Sequence, residues 1–173
     1  TGVYNGNVGR SMEMIQIKMA PIDGLAVQGS ISTTDADGGA ASATEDGTGA
    51  NVGFKFTEGA YTIGATHGGV QPAIASGEVT YYTNTYYGAQ YDVNDALSLS
   101  FNRDKSVKTV RQAVNSNETR GETDNTEMEQ DSFQVAYTTG GATIGWTTVK
   151  VNNADYTENK EEKQSVLSLG ISF

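Results

Sequence analysis

The chain closes on a strict alternation of polar and apolar residues. Across Gln164 to Phe173, Ser165, Leu167, Leu169, Ile171 and Phe173 fall on one side, and Gln164, Val166, Ser168, Gly170 and Ser172 on the other. Side chains of an extended strand point alternately to its two faces, so this period predicts a strand with one apolar face. The same pattern recurs upstream at Ala142/Ile144/Trp146, Phe133/Val135/Tyr137, Leu97/Leu99/Phe101, Tyr87/Ala89/Tyr91, Tyr61/Ile63/Ala65, Val52/Phe54/Phe56, Leu25/Val27/Ile31 and Ile15/Ile17/Met19. That gives about nine strands, each near the roughly ten-residue length of a tilted membrane strand. No segment carries the 3.6-residue stripe of an amphipathic helix.

The connections between these strands are of two kinds and alternate. Short polar turns sit near Asp23, Gly59, Asn94 and Gly140, where Asp-Gly, Glu-Gly, Asn-Asp and Gly-Gly supply the backbone freedom of tight hairpins. Long polar loops are predicted near 33–50, 68–77, 103–130 and 152–163. Loop length segregated to opposite ends of a meander is the asymmetry of an outer-membrane β-barrel. The aromatics add to it. Phe56, Tyr61, Tyr91, Tyr137 and Phe173 all lie near a short turn or the chain end, and all fall on the apolar face by parity. Stacked side by side they would form a lipid-facing girdle at one membrane interface.

Composition narrows the function classes. Against 21 acidic residues stand 11 Lys and Arg, for a net charge of −10, which disfavours nucleic acid as a partner. Cysteine is absent and histidine occurs once, so disulfides, thiolate chemistry and Cys or multi-His metal sites are excluded. No enzymatic constellation and no cofactor motif is present. The acidic stretch with Asp35, Asp37, Glu45 and Asp46 lacks the terminal Glu of a calcium loop. His67 stands alone. No apolar run approaches the roughly 20 residues of a membrane helix. A barrel is nonetheless polar on average, because only alternate residues of each strand meet lipid. No leader peptide is visible, so the chain reads as mature or truncated.

The segment Gly88-Ala89-Gln90-Tyr91-Asp92-Val93-Asn94-Asp95-Ala96-Leu97-Ser98-Leu99-Ser100-Phe101, with the strand that ends on Phe173, resembles the hairpins of general Gram-negative porins. As a pattern of hairpins the resemblance spans essentially the whole chain. It implies an antiparallel, transmembrane sixteen-stranded barrel in the bacterial outer membrane. It also implies a homotrimer, and passage of small hydrophilic solutes and ions through a water-filled channel. Lipid and lipopolysaccharide are the implied surroundings. Counting strands back from a periplasmic C-terminus puts Thr1 outside the cell. Single-chain bacterial barrels have even strand numbers and periplasmic termini. Residues 1–173 are therefore expected to be one barrel portion, the C-terminal half, paired with a missing N-terminal half that carries the inward constriction loop of the family.

Parity also nominates the channel wall. Lys18, Gln28, Lys55, Tyr82, Asn84, Gln90, Asn102 and Gln134 fall opposite the apolar faces and are the expected pore-lining residues. A charge facing lipid at the bilayer midplane costs about 2–4 kcal/mol, so Lys18 and Lys55 belong on the water side. In the porins a basic wall faces acids across the constriction; Lys18 and Lys55 either play that part or merely solvate the wall. Two other readings stay open. One is a small structural or adhesive barrel without a pore, which the small residues Thr62, Gly64, Ser98, Ser100, Ser168 and Gly170 on the inner face disfavour. The other is a soluble β-sandwich binding module, whose apolar faces would pack on a second sheet.

Overall fold

Four tight turns set the architecture. Asp23-Gly24 and Gly140-Gly141 each join two strands directly, and both Gly140 and Gly141 hold positive φ, as the mirror-image hairpin turns require. In the turn after Asp92, the Asn94 side-chain oxygen accepts hydrogen bonds from the backbone N–H groups of Ala96 (2.9 Å) and Leu97 (3.0 Å). Such a side chain closes the turn in place of a backbone carbonyl.

The computed structural model describes residues 12–34, 43–71, 74–75, 79–113 and 121–171. Its strands are β1 (Met12–Ile22), β2 (Leu25–Thr34), β3 (Ala43–Glu45), β4 (Gly47–Glu58), β5 (Tyr61–Gln71), β6 (Ile74–Ala75), β7 (Val79–Asp92), β8 (Leu97–Arg111), β9 (Glu122–Thr139), β10 (Ala142–Asn152) and β11 (Glu162–Ile171). Nine of them form one antiparallel sheet in the order β1-β2-β4-β5-β7-β8-β9-β10-β11. The short β3 and β6, from the connections after β2 and β5, pair with each other. Among the described residues the only helical piece is one 3-10 turn, Ala154–Tyr156.

The sheet is a single layer. Among the described residues the one buried hydrophobic side chain is Ala154, while Leu167, Ile15 and Leu169 are 76%, 73% and 66% exposed. Among the described residues no second sheet packs over the apolar face of the nine strands, which the sandwich reading requires. The sheet is also open, with β1 and β11 at its two edges.

The strands outrun the sequence expectation. Instead of a loop over 103–130, β8 continues to Arg111 and β9 begins at Glu122. Likewise β2 reaches Thr34, β4 starts at Gly47 and β5 runs to Gln71, inside the loops expected near 33–50 and 68–77. The physical reason is that the far halves of β8 and β9 are mostly polar or charged on both faces, and the far ends of β4 and β5 are rich in glycine, so the apolar period stops while the hydrogen-bonded ladder goes on. Register also drifts across the sheet. The line of opposed residues from Tyr61, the first of β5, runs through Tyr91, Leu99, Val135 and Trp146 to Leu167, well inside β11. Such a stagger is what a closing sheet needs.

Gly24 anchors the first turn. Its φ is +75°, its carbonyl accepts the Thr57 N–H at 2.9 Å, and a Cβ there would lie 2.2 Å from the Thr57 oxygen. Gly59, at φ +53°, has nothing within 4 Å of that position. Gly24→Ala is expected to cost about 1–3 kcal/mol or more, from left-handed strain plus a backbone clash. Gly59→Ala should show only the left-handed penalty of about 1–2 kcal/mol. Urea titration of the complete folded protein, followed by Trp146 fluorescence, separates the two.

Candidate functional site: the concave polar face

Directly opposed residues in an antiparallel sheet share a face, and so do residues two apart on a strand. Lys18 lies opposite Gln28, Gln28 opposite Gly53, Gly53 opposite Thr66 and Thr66 opposite Tyr86. Lys55 follows two residues after Gly53. Gln90, Asn84 and Tyr82 share the Tyr86 parity, Asn102 faces Gly88, and Gln134 faces Ser100. All eight nominated wall residues therefore stand on one side of the sheet.

That side is hollow. An open cavity of about 850 Å³ is lined by Lys18, Gln28, Lys55, Gln90, Asn102 and Gln134, with small residues between them. Tyr82 and Asn84 sit nearer the long-loop end. The small residues make the room: Gly64 lies opposite Gly88, and a Cβ on Gly88 would meet the Asn102 Oδ1 at 2.2 Å. Asn102 can therefore lean over Gly88. The Tyr86 hydroxyl donates to its Oδ1 at 2.5 Å, and its Nδ2 donates to Ser132 Oγ at 3.4 Å. This crosslinks β7, β8 and β9 along the wall. Among the described residues neither the Lys18 nor the Lys55 ammonium has a carboxylate partner, so both charges are presented to the hollow.

Further charged residues share this face, Asp104 and Lys108 among them. Asp104 lies opposite Tyr86, and Lys108 opposite Tyr82. Sequence reasoning missed both because they fall in the expected loop. The available signal was charge complementarity at period two. Arg103 and Lys105 stand opposite Asp131 and Glu129, on the outward face.

The outward face carries the other half of the pattern. Phe56, Tyr61, Tyr91 and Tyr137 all lie on it, and the Tyr61 and Tyr91 rings stack with centroids 4.8 Å apart. Phe133 and Trp146 meet edge to face at 6.1 Å. Phe173 lies outside the described residues, as do Asp35 and Asp37. Toward the long-loop end the face turns polar. The Arg103 guanidinium donates to both Asp131 oxygens, at 2.5 and 2.6 Å, and Lys105 pairs with Glu127 at 2.6 Å. His67 is on this face too, with its Nδ1 2.8 Å from Thr85 Oγ1.

Comparison with known proteins adds the fold. No protein-family profile and no curated protein sequence matches the chain. A solved structure that resembles it is OmpT, an outer-membrane protein of Vibrio cholerae folded in vitro. The TM-score is 0.60 at 13% identity, over 92% of this chain and 52% of OmpT. The chain thus spans about half the length of this structural neighbour, and its nine-stranded antiparallel sheet has the fold of an outer-membrane β-barrel protein.

Proposed function

We propose that this chain forms part of the wall of a water-filled outer-membrane channel, through which small hydrophilic solutes and ions diffuse. The observation that carries this is the division of a single-layer sheet into two faces. One is apolar and uncovered; the other is concave, polar and hollow. Lipid is the solvent that stabilises the first face, and water the second.

Closure into a barrel, with sixteen strands by resemblance to the porins, needs strands beyond β1 and β11; the neighbour's greater length supports that. A homotrimer seated near β11 would cover part of the apolar belt at Leu167 and Leu169. Arg103, Lys105 and their acidic partners stand beyond the apolar rows on the outward face, at the level of outer-leaflet headgroups. That level suits lipopolysaccharide phosphates. The small plugged barrel is disfavoured by the small residues lining the hollow, such as Gly53, Gly64, Gly88 and Ser100, which leave space where a filled interior needs bulk.

Lys55→Glu tests the channel. Planar-bilayer reversal potentials under a salt gradient should move toward cation preference, because the substitution replaces a cation on the wall by an anion. An unchanged reversal potential in an otherwise normal channel would remove Lys55 from the conducting path. A complete barrel-forming protein that inserts but conducts nothing would remove the channel itself.

A further inference from the structure

The connection between β10 and β11 does not stand up from the sheet. It bends across the concave face. Asn152, the last residue of β10, lies opposite Glu129 of β9. Four residues later in sequence, the Tyr156 ring lies 5.6 Å from the ring of Tyr82, which belongs to β7. Its hydroxyl sits 2.6 Å from Ser106 Oγ on β8. At about 4.8 Å per strand, β10 to β7 is a lateral step of roughly 14 Å. Tyr82 and Ser106 both lie on the face that carries Lys18, Lys55 and Asn102. The segment therefore reaches inward over the hollow at its long-loop end.

It is also held there. The Asn153 Nδ2 donates to the Glu127 carbonyl at 2.9 Å, and its Oδ1 accepts the Asn159 N–H at 3.0 Å. The Ala154 N–H donates to the Lys160 carbonyl at 2.8 Å. Lys160 pairs with Asp155 and, at 3.1 Å, with Glu162. The hydrogen bonds that the Lys160 ammonium donates, first to Asp155 and then to Glu162, hold it above the usual lysine pKa, so this clasp stays charged at neutral pH. Ser106 beneath the segment and Ala154 within it are only 5% and 3% exposed, among the few buried side chains of the described residues. Four non-glycine residues here adopt left-handed backbone: Asn153, Asp155, Tyr156 and Asn159. Asn and Asp tolerate that region; a tyrosine does so only where its surroundings fix it.

We infer that residues 153–161 form an inward strap that narrows the outer mouth of the channel, pinned to the wall by Tyr156 on Ser106 and Tyr82. The inference rests on the channel reading above. As a narrowing element, the strap would set the upper size of admitted solutes independently of any constriction deeper in the pore.

The test uses the complete barrel-forming protein. Tyr156→Ala should raise single-channel conductance by roughly a third or more, and speed entry of larger sugars in liposome swelling. Asn153→Ala, which frees the base of the strap, should move both readouts the same way; it serves if the first variant does not fold. A second arm is independent of conduction. The chain has no cysteine, so Ser106→Cys gives a single thiol in it. A water-soluble thiol reagent should label it slowly in the parent and much faster with Tyr156→Ala added. Normal channels with unchanged conductance in both strap variants would overturn the strap as a narrowing element. Equal labelling rates would overturn its seating on Ser106. Absence of any wild-type conductance would instead overturn the channel reading, which the labelling arm does not depend on.

Discussion

In the complete barrel-forming protein, Leu167→Arg is expected to prevent stable folding in lipid vesicles, while Ser168→Arg, one residue away, leaves it nearly intact. Leu167 is 76% exposed on the outward face, midway between Ile171 and Lys163 on β11, in line with Trp146, Val135 and Leu99. If that row faces hydrocarbon, an arginine there costs about 2–4 kcal/mol near the midplane, on top of the lost leucine contact with lipid. Folded proteins hold only about 5–15 kcal/mol in all, so the change is a large share of the total. Ser168 lies on the opposite, polar face of the sheet, where a guanidinium stays hydrated. Heat-modifiable mobility on gels, or protease protection after refolding into vesicles, reads the difference. In a soluble protein the order would reverse, because an exposed leucine exchanged for arginine improves solubility. Leu167→Arg that folds as well as the parent without lipid would sink the membrane assignment.

The contrast between these two neighbours shows what was legible in the sequence. Wherever one face of a strand is apolar and the other polar, a one-residue shift exchanges every side chain, so parity alone assigned Lys18, Lys55, Asn102 and Gln134 to one side and Phe56, Tyr61 and Tyr137 to the other. The order of strands followed from the hairpin turns, because Gly140-Gly141 and Asn94 can only join neighbours. Parity gave out where both faces are polar. From Arg103 to Arg111 and from Glu122 to Asp131 the ladder is sustained by backbone hydrogen bonds and by pairs such as Arg103–Asp131, not by an apolar stripe. The inward bend of 153–161 was hidden for a different reason. It depends on Asn153, Tyr156 and Lys160 each finding one distant partner, and such one-to-one contacts leave no period to read. Nor does a pattern of faces say how a sheet closes, since every internal strand looks alike from either side.

Closure is open to a direct test. Refolded alone, residues 1–173 are expected to give no monomeric, protease-protected membrane species. β1 and β11 each present one edge with no ladder partner among the described residues. In a bilayer each unsatisfied backbone N–H or C=O costs several kcal/mol, and a strand edge carries a row of them. The two edges cannot pair as an ordinary hairpin would. In a nine-stranded antiparallel meander the first and last strands run the same way, so sealing them would demand a parallel ladder. Bacterial single-chain barrels use even strand numbers and avoid this. An odd number of further strands, supplied by another segment of polypeptide, restores antiparallel pairing at both seams. Cysteines placed at Ile17 and Leu167, both on the outward face, report the outcome in a chain that otherwise has none. No intramolecular disulfide between them should form under mild oxidation in vesicles. A high yield of that disulfide in a monomer would mean that nine strands close on themselves. The wall would then be a complete small barrel rather than part of a larger one.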